Sequence, residues 1–229
     1  MPLPVDVEQA IDPRRSVLLP IDMQRRHLDV GGVGYHTLPA ERAKLAVERG
    51  GVALRAARDA GMPVVHVGTW SMSPAPPWGP REGRNPFWAW QNGKPIPGAG
   101  FVRQATKCTE GSPYAEFMPP EQPLPHEPVV VKRRYSGFYM TDLELILRSF
   151  GVDTIFIIGV NTNNCCLHTA FDAQARDFRV VLLEDACGSM NGQEYHEAAL
   201  KQIEAAIGWV ISVTDFTTLI EKKAGALVG

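Results

Sequence analysis

The sequence predicts an α/β protein: a three-layer, doubly wound parallel sheet of about six strands with helices on both faces. Three observations predict it. Short apolar runs alternate with stretches whose apolar residues recur at helical spacing, which is the pattern of a wound parallel sheet. Residues 154–160, TIFIIGV, are apolar throughout, as in a strand buried on both faces. The chain has 229 residues, an ordinary size for one α/β domain, so 1–229 is read as a single domain.

The elements follow in order. Residues 16–22, SVLLPID, form the first strand, although Pro20 removes a donor from it. Residues 39–61, rich in Ala, Glu and Arg, form a helix with a soft point at Gly50-Gly51. Strand two is 63–67 and strand three is 127–131, both short and valine-rich. An amphipathic helix spans 141–150, with Thr141 as its cap, and strand four is 154–160. A helix at 169–177, strand five at 180–184, a helix at 193–207 and strand six at 210–213 complete the alternation. Residues 71–125 break the rhythm. This stretch is rich in Pro and Gly and carries Trp78, Trp88 and Trp90, so it reads as an irregular lid shaping a pocket or as a packed excursion.

Composition excludes several classes. Lys plus Arg total 23 against 25 Asp plus Glu, a net charge of −2 without the basic excess of a nucleic-acid binder. No run of about 18 apolar residues is present to span a membrane. No apolar leader follows the N-terminus, so a cytoplasmic protein is expected. In that reducing compartment Cys108, Cys165, Cys166 and Cys187 are expected as thiols, and none lies in a zinc-type CxxC pair.

Sites in open α/β sheets form beyond the carboxyl ends of the strands. Asp22 ends strand one, Lys132 follows strand three and Cys165 follows strand four. Brought together, a carboxylate takes a thiol proton while an ammonium keeps the carboxylate ionised and stabilises a thiolate. Taken alone, an Asp at a strand end is more often a cap, a Lys there is usually solvated, and a Cys is usually a small buried hydrophobe. The loop Gly159-Val160-Asn161-Thr162-Asn163-Asn164-Cys165-Cys166 sets its cysteines at a helix start, where free N–H groups favour an anion. The same loop also reads as a polar turn.

Asp22-Met23-Gln24, Lys132-x-x-Tyr135-Ser136-Gly137-Phe138 and the 159–165 loop with Thr169-Ala170 resemble the isochorismatase-like cysteine hydrolases, over about residues 14–220. The resemblance implies an Asp22–Lys132–Cys165 triad, with the nucleophile six residues after Gly159 and Cys166 in packing. It also implies a cis Val160–Asn161 peptide, whose Asn161 N–H joins the Cys165 N–H in an oxyanion hole. The implied chemistry is acyl transfer through a thioester. Family members assemble as homodimers or homotetramers, and the Trp-rich segment and residues 219–228 are the expected interface.

Departures from the family pattern narrow the substrate. The nicotinamidase branch carries Asp-x-His after strand two, whereas this chain reads His66-Val67-Gly68-Thr69-Trp70-Ser71-Met72. No catalytic metal and no other cofactor is therefore expected, with His66 a core or wall residue. Isochorismate-cleaving members lack the cysteine. The Lys132 stretch and the Asn-rich loop look most like the carbamoyl and ureido amidohydrolases, which act on N-carbamoylsarcosine, ureidoacrylate or biuret. The expected partner is a small polar ureide or amide, contacted by Gln24, His27, Trp88, Phe138, Tyr139 and Asn161. A nicotinamidase-type or maleamate-type amidase, a non-enzymatic scaffold and a Cys165–Cys166 redox pair are the competing readings.

Overall fold

The computed structural model describes residues 5–32, 38–70, 86–87, 90 and 108–225. Its strands are β1 (Ser16–Ile21), β2 (His66–Thr69), β3 (Val129–Lys132), β4 (Thr154–Val160), β5 (Arg179–Gly188) and β6 (Trp209–Ile211). They form one parallel sheet in the order β3-β2-β1-β4-β5-β6. The order reverses between β1 and β4, and their carboxyl ends are where such sheets place their sites. The helices are α1 (Val5–Ala10), α2 (Arg25–Leu28), α3 (Ala40–Asp59), α4 (Leu143–Ser149), α5 (Leu167–Gln174), α6 (Gln193–Ala206) and α7 (Val213–Gly225).

The period-two alternation of the central strands divides the core into two layers. Val17, Leu19, Ile21, Ile155 and Ile157 face one side, where Leu143, Leu147, Ala170 and Ile203 from α4, α5 and α6 cover them. Leu18, Phe156 and Ile158 face the other side, against Leu54 of α3 and Phe216 and Leu219 of α7. Among the described residues no helix is long and apolar enough to cross a membrane.

Pro20 is tolerated in a central strand for a local reason. The Leu18 and Asp22 amides donate to Pro63 and Val67 on the β2 side. Pro20 has the same parity, so its missing donor falls in the gap between those two bonds. The gap also moves β2. Val64 makes only an isolated bridge to Leu18, and the strand proper runs His66–Thr69 rather than 63–67. Gly159 pairs with Ile21 of β1. Its φ is +134°, and a Cβ there would lie 2.0 Å from the Ile21 carbonyl oxygen, so only glycine fits.

Other boundaries differ from expectation as well. β5 continues to Gly188, four residues beyond the expected end, because Cys187 and Gly188 resume pairing with Gly159 and Val160 after a register shift. The Asp142 side chain makes no cap bond, and α4 starts at Leu143, whose amide donates to Thr141 Oγ1 at 3.3 Å. β6 stops at Ile211 because Ser212 and Asp215 cap the next helix reciprocally, at 3.0 and 3.3 Å. Leu219 and Ile220, expected at a subunit interface, are instead buried within this chain's own core, and residues 226–229 lie outside the described residues.

Candidate active site

Four strand ends lie side by side at the switch point, and they carry Lys132, Thr69, Asp22 and the 161–166 loop. Asp22 has φ +53°, a left-handed backbone that Asp tolerates better than most residues. Its amide donates to Val67 O at 2.8 Å, which fixes the turn out of β1. The Asp22, Lys132 and Cys165 side chains are all buried. Lys132 Nζ lies 2.8 Å from Asp22 Oδ2 and 3.2 Å from Cys165 Sγ. It also donates to Thr69 Oγ1 at 2.6 Å and to the Arg134 carbonyl at 3.2 Å. Thr69 Oγ1 in turn donates to Asp22 Oδ1 at 2.8 Å.

Electrostatics set the resting protonation. Burial opposes the charge on Asp22, but Lys132 and His27 outweigh it and hold the carboxyl below its ordinary range. Burial likewise pulls the Lys132 ammonium down, and Asp22 and Cys165 more than reverse it. Burial and the Asp22 charge push the Cys165 thiol up to about 11. The resting set is therefore carboxylate, ammonium and thiol.

The 159–166 loop is laced from both sides. The Val160–Asn161 peptide is cis, and residues 162–166 form a π-helical turn leading into α5. Asn161 Oδ1 accepts from the Met190 amide at 2.7 Å, and Asn163 Oδ1 accepts from Ser189 Oγ at 2.7 Å. Thr162 Oγ1 is 2.8 Å from His196 Nδ1, and His196 Nε2 is 2.9 Å from Arg42 Nη2. Arginine only donates, so Nε2 accepts and Nδ1–H points at Thr162. Thr169 Oγ1 donates to the Cys165 carbonyl at 2.7 Å and receives the Gly137 amide at 2.9 Å, tying the loop to the stretch that follows Lys132.

The expected substrate contacts separate here. Gln24 is buried and spends both ends of its amide on backbone: Nε2 donates to Ala115 O at 2.8 Å, and Oε1 accepts from Thr69 N at 3.2 Å. It fastens segment 108–118 along residues 23–26 rather than offering a free contact. Gln24→Ala leaves two buried partners unpaired and is expected to lower stability by about 1–3 kcal/mol, read from urea midpoints. Phe138 is a core residue, its ring 6.1 Å from that of Phe178. Tyr139 is half exposed, while His27 is buried on α2 within the field of Asp22. Asn161 Oδ1 is taken by the Met190 amide. Trp88 and Trp78 lie outside the described residues, and Trp90 is exposed beside Phe87. His66 is buried, with Nε2 2.8 Å from Glu127, whose carboxylate also takes two bonds from Arg58. Among the described residues no three His, Cys, Asp or Glu side chains are grouped to hold a metal ion.

The isochorismatase domain model matches residues 16–215. This chain belongs to the isochorismatase family. As an isochorismatase-family hydrolase it is 30% identical over 225 residues to the ureidoacrylate amidohydrolase RutB of Methylobacterium radiotolerans, covering 96% of this chain and 85% of that one. A cysteine hydrolase from Pseudomonas syringae pv. phaseolicola shares the fold, with a TM-score of 0.76 at 24% identity over 93% of this chain and 95% of that one. The N-carbamoylsarcosine amidase of Thermoplasma acidophilum superposes with a TM-score of 0.64 at 25% identity, over 87% of this chain and 96% of that one.

Thr69 is the site residue that sequence reasoning passed over. A signal was available, because Thr69 ends a strand as Asp22 does. Placing strand two at 63–67 put Thr69 in a loop, two residues past the apparent strand end.

Proposed function

We propose that this protein is a cysteine amidohydrolase that cleaves a C–N bond of a small polar ureide or amide without a metal. The observation that carries the reading is Lys132 Nζ set between Asp22, at 2.8 Å, and Cys165, at 3.2 Å, in a buried site. The RutB relative and the N-carbamoylsarcosine amidase, whose names specify ureide substrates, support the substrate class.

In this reading Asp22 takes the thiol proton as Cys165 Sγ bonds to the substrate carbonyl carbon. A thiol held near 11 favours forming the thiolate only as attack proceeds. The oxyanion sits on the backbone N–H groups of Asn161 and Cys165. The tetrahedral species collapses, the C–N bond breaks, and Asp22 returns its proton to the departing amine or ammonia. Water then attacks the thioester with Asp22 again as base, and the thiol is regenerated. Lys132 stays protonated throughout and balances the charge that moves between carboxylate and sulfur.

The test is ammonia release from ureidoacrylate, N-carbamoyl amino acids, biuret, maleamate and nicotinamide, with Cys165→Ala alongside and chelator present or absent. Turnover of a ureide that resists chelator and disappears in Cys165→Ala is expected. Turnover that survives Cys165→Ala, or chelator-sensitive turnover confined to nicotinamide, would sink the reading.

A further inference from the structure

We infer that Thr69 is a positioning residue that assigns the two oxygens of Asp22 different tasks, leaving Oδ2 as the oxygen that takes the Cys165 proton. This inference deepens the amidohydrolase reading and rests on it. The strand order β3-β2-β1-β4 makes Thr69 the natural bridge, because β2 lies between the strands that deliver Lys132 and Asp22. Thr69 pairs with Lys132 in the parallel register, so both side chains leave the sheet at one level.

The direction of each hydrogen bond follows from donor counting. A lysine ammonium has no acceptor, so across the 2.6 Å contact the Thr69 oxygen must accept. A hydroxyl has one proton, and that proton then points to Asp22 Oδ1 at 2.8 Å. Oδ1 is thereby occupied. Oδ2 stays beside Lys132 at 2.8 Å, in ion-pair contact but without an aligned hydrogen bond. Lys132 Nζ has three protons and four neighbours within 3.2 Å: Thr69 Oγ1, Asp22 Oδ2, Arg134 O and Cys165 Sγ. Thr69 Oγ1, the nearest of the four, accepts a hydrogen bond through one of those protons.

Thr69 is itself held from three directions. Its amide donates to Gln24, its carbonyl accepts from Cys108 Sγ at 3.1 Å, and its hydroxyl is fixed as above. An ordinary surface threonine has no such restraint. The titratable groups facing Asp22 are Lys132 on β3, His27 on α2 and Cys165 on the loop, with Cys108 and Cys166 also within its field. Thr69 touches Asp22 but does not titrate, so removing its hydroxyl changes hydrogen bonding without changing charge.

The test compares Thr69→Val, which keeps the shape, with Thr69→Ser, which keeps the hydroxyl. Two readouts are taken across pH: kcat/KM for the ureide, and the rate at which iodoacetamide alkylates Cys165, followed by mass spectrometry of its peptide. Losing the Oδ1 bond is expected to move the acid inflection of both profiles up by about one pH unit in Thr69→Val. kcat is expected to fall about 10-fold or more with KM little changed, and Thr69→Ser to restore both profiles. An unshifted inflection in Thr69→Val overturns the inference. So does a shift in Thr69→Ser as large as that in Thr69→Val, and where the valine variant folds poorly Thr69→Ala, which also lacks the hydroxyl, takes its place in the comparison. If no ureide is turned over, the functional reading fails, while the alkylation profile still decides the role of Thr69.

Discussion

Lys132→Met is expected to lower kcat/KM by about 10³-fold and to destabilise the fold by about 3–5 kcal/mol at neutral pH. The first effect follows because Lys132 Nζ is the cation in contact with both Asp22 and Cys165, and removing a preorganised charge from a buried site costs about that much in rate. The second follows from burial. Asp22 is fully enclosed, and without its partner the carboxylate is an uncompensated charge. The sign with pH reverses between the two proteins. In the parent, Asp22 titrates below its unfolded value, so it contributes stability above that value and loses it as pH falls. In Lys132→Met the largest favourable charge is gone, and His27 with the Cys165 and Thr69 hydrogen bonds is left against burial, so the carboxyl moves up and Asp22 takes a proton at higher pH than in the parent. The stability gap between the two proteins should therefore narrow as pH is lowered from 7 to 4. Urea denaturation at each pH measures it, and a gap that widens in acid would contradict the argument.

Glu121→Gln is expected to stabilise the protein at alkaline pH, by about 2–5 kcal/mol at pH 9. Glu121 ends a short 3₁₀ turn, Pro119–Glu121, pressed against α3. The helix admits it because residue 50 is glycine: a Cβ there would lie 2.9 Å from Glu121 Oε1 and 2.8 Å from the Met23 methyl. The carboxyl is buried and neither oxygen has a hydrogen-bond partner. Burial pushes it up to about 8, against the pull of its own backbone amide and of Arg55 and Arg58. The folded state therefore keeps a proton that the unfolded chain releases near 4.5, and stability falls as pH rises from about 4.5 to 8. A neutral amide removes that slope. The difference between the urea midpoints of parent and variant should be small at pH 5 and largest at pH 9. A difference independent of pH would mean that Glu121 is already ionised in the fold.

Glu121 and Thr69 show why part of this molecule was hidden in its sequence. Each acts through neighbours that are distant along the chain and adjacent only across the sheet. Glu121 sits in a proline-rich stretch that reads as irregular lid, and nothing in that stretch announces a carboxyl facing Gly50. Thr69 was displaced from its strand end because the Pro20 gap delays β2 pairing, an effect that one strand imposes on another. Polar residues beside Cys165 invite a substrate-binding role for Gln24 and Asn161. The Gln24 amide is instead consumed by backbone groups at 69 and 115, and Asn161 Oδ1 by the amide at 190, none of which a spacing rule brings near.

What the sequence determined by itself is the periodic part. Apolar runs with helical stretches between them dictate a wound parallel sheet, since local geometry and burial set those periods residue by residue. The positions of Asp22, Lys132 and Cys165 at strand ends follow from the same pattern, and their three motifs carried the resemblance to the family. Tertiary structure alone decided the distances that join them, the hydroxyl bridge at Thr69, the inward turn of Leu219 and Ile220, and the buried state of Glu121. Those depend on strand order and on which side chains fill the space between layers, and packing settles both only when the whole chain has closed.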